Sequence, residues 1–222
     1  TPLVADLDLM RRGGPHFAWD RSLPAHPGVF PRAQGPASIR WFRTGTCFAS
    51  HVMNAHNEGS CVHLDTPTSE IVVFPFFPLR RGQAFDPRRA TPRLQRWRID
   101  LDSPSDEVQR HDLAPVEAEF TRINERFAMG RQRHGWTVSR AEGRESITSL
   151  SGKTFNALAH FEFDRAPGAV HTTQFHVGED SAAQEPTFVP RPGSAAEGDG
   201  YLLVLVNRLS LKPKLSTGPL PG

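Results

Sequence analysis

Residues 47–59, CFASHVMNAHNEG, are the stretch around which the chain is organised. β-Prone residues precede it at 39–42 (IRWF) and follow it at 61–65 (CVHLD). The segment therefore predicts a hairpin whose polar turn lies at Asn57-Glu58-Gly59. His51 falls on one arm of this hairpin, among apolar neighbours, so its imidazole needs a partner. A backbone carbonyl is the commoner partner for such a histidine, and a metal ion is the other.

The composition indicates an ordinary globular protein. The chain has 222 residues, 37% hydrophobic and 23% charged, and a net charge of +2 that gives no strong attraction to nucleic acid. No apolar run reaches the roughly 20 residues that a transmembrane helix needs, while peripheral membrane contact stays open. Cys47 and Cys61 form no disulfide framework, and a bridge between them is not expected. A reducing, cytoplasmic location is therefore predicted.

Alternating and apolar segments predict further β-structure along the chain. An apolar patch at 70–78, EIVVFPFFP, contains two prolines and is expected to be an edge piece or a buried loop. The strand at 200–206 is apolar without interruption, so we expect both of its faces to be buried. The remaining predicted elements are a short helix at Leu3 to Arg12, hairpins at 95–114 and 155–177 (turn at Arg165 to Gly168), and strands at 116–123 and 185–191.

Repeated hairpins favour an all-β propeller or barrel. Long amphipathic helical windows are missing from the sequence, which argues against parallel βαβ units.

The ten histidines prompt a search for metal ligands. His171 and His176 lie five apart on a predicted strand and face opposite sides. His51 and His63 lie on facing arms of the first hairpin, so a zinc site between them is one alternative. The sequence contains no HExxH, zinc-finger spacing, GxSxG, P-loop or GxGxxG motif.

Glu119 and Glu185 form a matched pair, because each opens a predicted strand in an apolar context. A buried carboxylate must accept hydrogen bonds, and the N–H of a metal-bound imidazole is a natural donor. The favoured alternative is an exposed glutamate, or one that pairs with the nearby Arg122 or Arg191.

Several motifs in order resemble those of the carotenoid cleavage oxygenase family, and most closely its lignostilbene dioxygenase branch. Each motif alone is weak, but their order over residues 13–206 is specific. The motifs are GGPHFAW (13–19), HVMNA (51–55), EFTRIN (119–124), FNALAHFEFD (155–164), EPTFVPR (185–191) and EGDGYLLVLV (197–206).

The resemblance implies a seven-bladed β-propeller with a non-haem Fe(II) held by four histidines. Such enzymes use O2 to split a carbon–carbon double bond, here of a stilbene or an apocarotenoid, into two carbonyl products. His51 matches one iron ligand, and no catalytic residue is expected beyond the metal site. Glu119 and Glu185 match two glutamates that accept hydrogen bonds from iron-bound histidines.

The family's other histidine segments are not found in this sequence. We therefore expect a piece of a longer product, all-β, with half to two-thirds of the blades, and inactive by itself. A non-catalytic binding module is the alternative. One domain, 1–222, is predicted, with a connector and helix at 1–35, blades at 36–208 and an irregular tail at 209–222. Phe74, Phe76 and Phe77 are expected to line part of an apolar substrate tunnel.

Overall fold

The computed structural model describes residues 1–82, 84–141, 143, 148–149, 152–163 and 169–209. These residues form nineteen short strands, one α-helix and three 3-10 helices. None of the helices in these ranges has the length and apolar character that crossing a bilayer requires.

The helices are α1 (Leu7–Arg11) and the 3-10 turns Pro36–Ser38, Arg80–Gly82 and Glu125–Phe127. The strands are β1 (Leu3–Ala5), β2 (Phe17–Trp19), β3 (Gly28–Val29), β4 (Arg40–Trp41), β5 (Phe48–Ala49), β6 (Asn54–Glu58), β7 (Cys61–Ser69), β8 (Arg93–Asp100), β9 (Gln109–Glu117), β10 (Glu119–Arg122), β11 (His134–Ser139), β12 (Thr148–Ser149), β13 (Gly152–Lys153), β14 (Ala157–Phe163), β15 (Val170–His176), β16 (Ser181–Ala183), β17 (Thr187–Pro190), β18 (Gly200–Leu203) and β19 (Val206–Arg208).

Two antiparallel sheets contain most of the long strands. The first sheet has the order β5-β7-β8-β9, with β6 also paired to β7, and the second has the order β10-β11-β14-β15. In the first sheet, β5 pairs with Thr68 and Ser69, while β6 pairs with residues 61–65 of the same strand. The chain between β5 and β6 therefore interrupts one edge of the sheet, and His51 lies in this interruption.

The hairpins predicted at 95–114 and 155–177 are confirmed, whereas the first hairpin is shorter than predicted. Residues 40–41 pair with β3, and the predicted turn residues Asn57 and Glu58 belong to β6 and pair with β7. β6 and β7 pair in register from Asn54↔Asp65 to Glu58↔Cys61, which places the turn at Gly59-Ser60, with Gly59 at a φ of 58°. Glycine takes this left-handed conformation without steric cost, as two-residue hairpin turns require. β8 pairs with β9, and β14 pairs with β15. The predicted turn at Arg165 to Gly168 lies outside the described residues.

The predicted helix at Leu3 to Arg12 is wrong in its first half. Leu3–Ala5 forms β1 and pairs with Phe17–Trp19. The helix begins only after Asp6, whose carboxylate accepts a hydrogen bond from the Leu9 N–H at 3.0 Å. An aspartate in this capping position fixes the helix start more strongly than the apolar pattern does.

The expectation that 200–206 is one strand buried on both faces is also wrong. β18 pairs only with β17, and β19 pairs only with β16, among the described strands. The side chains of Tyr201, Leu203 and Leu205 are 52%, 59% and 76% exposed. The apolar sequence shows that these residues favour burial. Within the described part of the chain, however, no further layer of structure covers them.

The patch at 70–78 is a loop, as its prolines predict. Ile71 and Val72 are fully buried in a cluster with Trp19 and Leu79, whereas Phe76 is 56% exposed. The apolar start of the patch thus anchors the loop to the β1–β2 ribbon.

The main core lies between the two large sheets. It joins Met53, beside β6, and Leu94, on β8, to Phe161 and Phe163, on β14. Neighbouring blades of a β-propeller are antiparallel sheets that pack face to face through such apolar clusters. The fold is all-β, its packing agrees with part of a propeller, and the number of seven blades in the whole protein stays a prediction.

A buried polar network accompanies this core. Asp65, 1% exposed, accepts two hydrogen bonds of 2.8 Å from the Arg96 guanidinium and one of 2.6 Å from Gln132. Asn54 donates to Gln132 at 2.7 Å and to the Gly130 carbonyl at 2.8 Å. The hairpin of the first sheet is thus tied to the loop that leads into β11 of the second.

Replacing Asp65 with alanine should lower the free energy of unfolding by about 3 kcal/mol or more, because it removes the acceptor of a buried charge pair. Denaturant unfolding of the purified variant measures the change. The matched control is Asp8→Ala, whose ion pair with Arg11 is exposed, and its expected cost is below about 1 kcal/mol. Equal costs for the two variants would contradict the importance of the network.

Candidate functional site

A cavity of about 690 Å³ lies beside the interruption between β5 and β6. Its wall is mostly apolar, and its polar groups include His51, Glu119 and Arg140. The aromatic residues on the wall are Phe48, Phe74, Phe120 and Phe155. A largely apolar cavity with a few convergent polar groups is the usual form of a small-molecule site.

His51 does not lie within a strand, contrary to the prediction that it belongs to a hairpin arm. Residues 50–53 are irregular, but their backbone is fixed along β7. Ser50 N–H donates to the Pro67 carbonyl at 3.2 Å, and Met53 N–H donates to the Asp65 carbonyl at 2.8 Å. The Thr66 hydroxyl donates to the His51 carbonyl at 3.1 Å. The backbone is therefore held firmly while the imidazole, with its side chain 53% exposed, borders the cavity.

Glu119 lies directly beside His51. The distance from its Oε1 to His51 Nε2 is 3.6 Å, and its side chain is only 9% exposed. The Ser50 hydroxyl lies 2.9 and 3.0 Å from the two carboxylate oxygens, and the Phe120 N–H donates to Oε1 at 3.3 Å. Burial raises the pKa of the Glu119 carboxyl, while the Ser50 and Phe120 hydrogen bonds and the His51 charge oppose the rise.

A second buried carboxylate, Glu117, lies two residues away on the same cavity wall. Arg140 Nη1 lies 2.5 and 2.6 Å from its two oxygens, and the guanidinium lies over the Phe155 ring at 5.2 Å. Burial raises the pKa of Glu117, and the Arg140 charge only partly offsets this effect.

The structure places Glu185 at the surface, where its carboxylate pairs with the Arg122 guanidinium. Both side chains are about two-fifths exposed, at 42% and 40%. Arg191, the other candidate partner, pairs with Asp199 at 2.8 Å. The ion pair matches the alternative derived from spacing, and a role for Glu185 toward a metal-bound histidine stays a prediction.

His63 contacts His56 rather than His51. The two rings stack with centroids 5.1 Å apart, and both Nε2 atoms lie 3.7 Å from oxygens of Glu58. Within the described ranges, no three His, Cys, Asp or Glu side chains form a group that could hold a metal ion. Cys47 and Cys61 are both free thiols.

The place of His51 on the cavity wall is compatible with one metal ligand, and this role stays a prediction. An imidazole on a cavity wall with a buried carboxylate behind it is the arrangement that orients ligating histidines in metalloproteins. The residues that complete the site were not found from sequence. Ser50 carried no motif signal, and Phe120 was noticed only as part of a predicted strand and of the EFTRIN motif, without a role of its own. Of the predicted tunnel residues, Phe74 lines the cavity, and Phe76 and Phe77 pack against its ring at 5.4 and 5.9 Å.

Comparison with known proteins gives consistent matches over nearly the whole chain. Residues 1–215 match the family described as retinal pigment epithelial membrane protein. The chain is 40% identical to lignostilbene-alpha,beta-dioxygenase isozyme III of Sphingomonas paucimobilis and 37% identical to isoeugenol monooxygenase of Pseudomonas nitroreducens. Each match covers 94% of this chain and 43% of the relative. The crystal structure of Pseudomonas brassicacearum lignostilbene dioxygenase superimposes with a TM-score of 0.83 at 32% identity, over 94% of this chain and 43% of that one. The chain thus spans less than half the length of these relatives.

The raised pKa of Glu117 predicts a pH dependence of stability. A carboxyl with a folded-state pKa above its unfolded value contributes stability below the unfolded pKa, and this contribution is lost as pH rises through the folded pKa. Glu117→Gln removes this contribution, so its free energy of unfolding should fall less from pH 4 to pH 8 than that of the wild type. Denaturant unfolding at several pH values measures both slopes. Glu107→Gln, at an exposed side chain, is the control and should keep the wild-type slope, and an unchanged slope in Glu117→Gln would contradict the assignment.

Proposed function

This chain belongs to the retinal pigment epithelial membrane protein family, the carotenoid cleavage oxygenases, and we propose from this premise that it forms part of an Fe(II)-dependent dioxygenase. The proposed reaction cleaves a carbon–carbon double bond of a stilbene or apocarotenoid with O2 to give two carbonyl products. The observation that carries the proposal is the His51 imidazole on the cavity wall, 3.6 Å from the buried carboxylate of Glu119.

His51 would hold the iron through one ring nitrogen. Glu119 would orient the ring from the other side, since a carboxylate behind a ligating imidazole fixes its tautomer and raises its basicity. Ser50 supports this role, because its hydroxyl already restrains both oxygens of Glu119. Bound Fe(II) would supply the activation of O2 for the cleavage.

The aromatic wall would bind the alkene and exclude water from it. Phe48 and Phe74 meet edge to face at 6.0 Å, a geometry that aromatic groups favour in apolar surroundings. The names of two relatives, a lignostilbene dioxygenase and an isoeugenol monooxygenase, support an alkene attached to an aromatic ring as the substrate. The two free thiols favour a reducing compartment, so we retain the cytoplasm as the proposed location.

The isolated chain, by this proposal, does not cleave substrate, because one imidazole binds Fe(II) too weakly to retain it. The second candidate is a binding module without catalysis. The cavity of about 690 Å³ favours this candidate, because the cavity is already formed in this chain. Iron content and aldehyde formation in a hybrid that restores the rest of the sequence separate the two, because a module without catalysis would give neither.

A hybrid protein tests the metal role of His51. In it, this chain replaces the matching part of the 40% identical lignostilbene dioxygenase, which supplies the remaining sequence. His51→Ala in the hybrid should remove the iron and lower aldehyde formation from a stilbene by at least about 100-fold, in line with the loss expected for a metal-site residue. Metal analysis and product assay measure the two effects.

The control variant is His63→Ala, which changes a histidine that contacts His56 and Glu58 instead. It should keep both iron and activity once folding has been verified. Retention of iron and activity in a folded His51→Ala hybrid would refute the assignment.

A further inference from the structure

Two histidines of the β6–β7 hairpin form a cluster outside the candidate site. His56 and His63 are opposite each other in the strand register, and their ring centroids are 5.1 Å apart at an interplanar angle of 16°. Each Nε2 lies 3.7 Å from a different oxygen of the Glu58 carboxylate. His56 is only 5% exposed. The arrangement suits two neutral rings, because two imidazolium charges at this separation would repel each other.

The surroundings oppose a positive charge on either ring. Within the described part of the chain, the buried His63 Nδ1 has no hydrogen-bond partner, so a protonated ring would hold an unpaired donor there. Burial lowers the pKa of both histidines, and the Arg96 charge adds to this effect at His56, as the His56 charge does at His63. The Glu58 and Asp65 carboxylates act in the opposite direction.

Strand register identifies the other groups that share this face, since directly opposite residues of paired strands point to the same side. The charged and titratable groups around the pair are Glu58 of β6, Cys61 and Asp65 of β7, Arg96, Arg98 and Asp100 of β8 and His111 of β9, with Arg131 beside Glu58.

The same face of the hairpin holds segment 129–132, which leads into β11. Arg131 Nη1 lies 3.4 Å from Glu58 Oε1. Asn54 precedes His56 by two residues, so both side chains lie on one face of β6. The Asn54 side chain accepts a hydrogen bond of 3.0 Å from the Met129 N–H and donates one of 2.8 Å to the Gly130 carbonyl. The segment is therefore attached to the hairpin beside the two histidines.

The backbone of segment 129–132 is strained where it meets the hairpin. Met129 has a φ of 65°, and among the described non-glycine residues only Phe120 shares a positive φ. Such a conformation costs free energy in a residue with a Cβ, and it persists only while surrounding contacts hold it. The Met129 side chain is 70% exposed, so its burial contributes little to this retention.

We infer that His56 and His63 form an acid-sensitive switch, which releases segment 129–132 from the β6–β7 hairpin when the pair is protonated. The switch acts through Glu58. At neutral pH this carboxylate pairs with Arg131, whereas in acid the imidazolium groups compete with Arg131 for it. The switch requires neither iron nor substrate, so the inference is independent of the proposed reaction.

The direction of the pH dependence follows from proton binding. Release of the segment hydrates the two rings and returns their pKa toward the ordinary value of about 6.5. Because burial lowers the pKa of both rings in the attached state, that state binds fewer protons than the released state below this pH. Attachment is therefore complete above about pH 6.5 and is lost as the pH falls.

Amide hydrogen exchange of the full chain, measured by NMR spectroscopy, tests the switch. The reporter is the Met129 N–H, and its protection factor corrects for the intrinsic pH dependence of exchange. In the wild type we expect this factor to fall by about tenfold or more from pH 7 to pH 5, because one proton of difference changes the equilibrium tenfold per pH unit. The double variant His56→Gln with His63→Gln has no titrating ring in the pair, and its factor should change by less than about twofold.

Two controls separate the switch from general acid unfolding. His171→Gln, at an exposed position of β15, should respond as the wild type does. The Trp19 N–H, which donates to the Pro78 carbonyl in another core cluster, should keep its protection in every protein. If the double variant does not fold, His63→Gln takes its place and should limit the loss at Met129 to less than about threefold, because His56 then has Glu58 to itself.

Three results would each overturn the inference. They are constant protection of the Met129 N–H in the wild type, an equal loss in the variant that replaces the wild-type histidines, and an equal loss at the Trp19 N–H.

Discussion

The site depends on a carboxylate that is buried between two sheets. Moving a carboxylate out of water is costly unless hydrogen bonds replace the lost solvation. Glu119 opens the second sheet, and its principal donor is the Ser50 hydroxyl, which belongs to the interrupted edge of the first. The hydrogen bonding of Glu119 therefore links the second sheet to the segment of the first that carries His51.

The surrounding structure makes that arrangement rigid. The backbone on either side of His51 is bonded to β7, and β7 itself carries Asp65, the centre of the second buried polar network. The apolar core that includes Met53 and Phe163 fills the space between the sheets. The half-exposed imidazole of His51 is thus attached to a backbone with little freedom, as the proposed role of a metal ligand would require.

Much of the fold could be predicted from the sequence, because strand alternation and turn residues are local signals. The three hairpins follow from such patterns, and Gly59 marks the turn of the first. The helix start at Asp6 and the exposure of 200–206 could not be read in the same way. The first depends on one capping hydrogen bond, and the second depends on which layers cover the strand.

The site was only partly visible in the sequence. His51 and Glu119 were selected through motifs that resemble a family, and the structure brings them together. Glu185 was selected by the same argument, and its pairing with Arg122 leaves that role a prediction. Ser50 and Phe120 were missed, since an irregular edge and a bulge change where side chains point without changing residue type.

The most direct measurement for the central claim is anomalous diffraction at the iron absorption edge from crystals of the Fe(II)-loaded hybrid protein. We expect one strong anomalous peak at bonding distance from a ring nitrogen of His51, with the Glu119 carboxylate beside the other nitrogen. An iron peak that His51 does not contact would contradict the account.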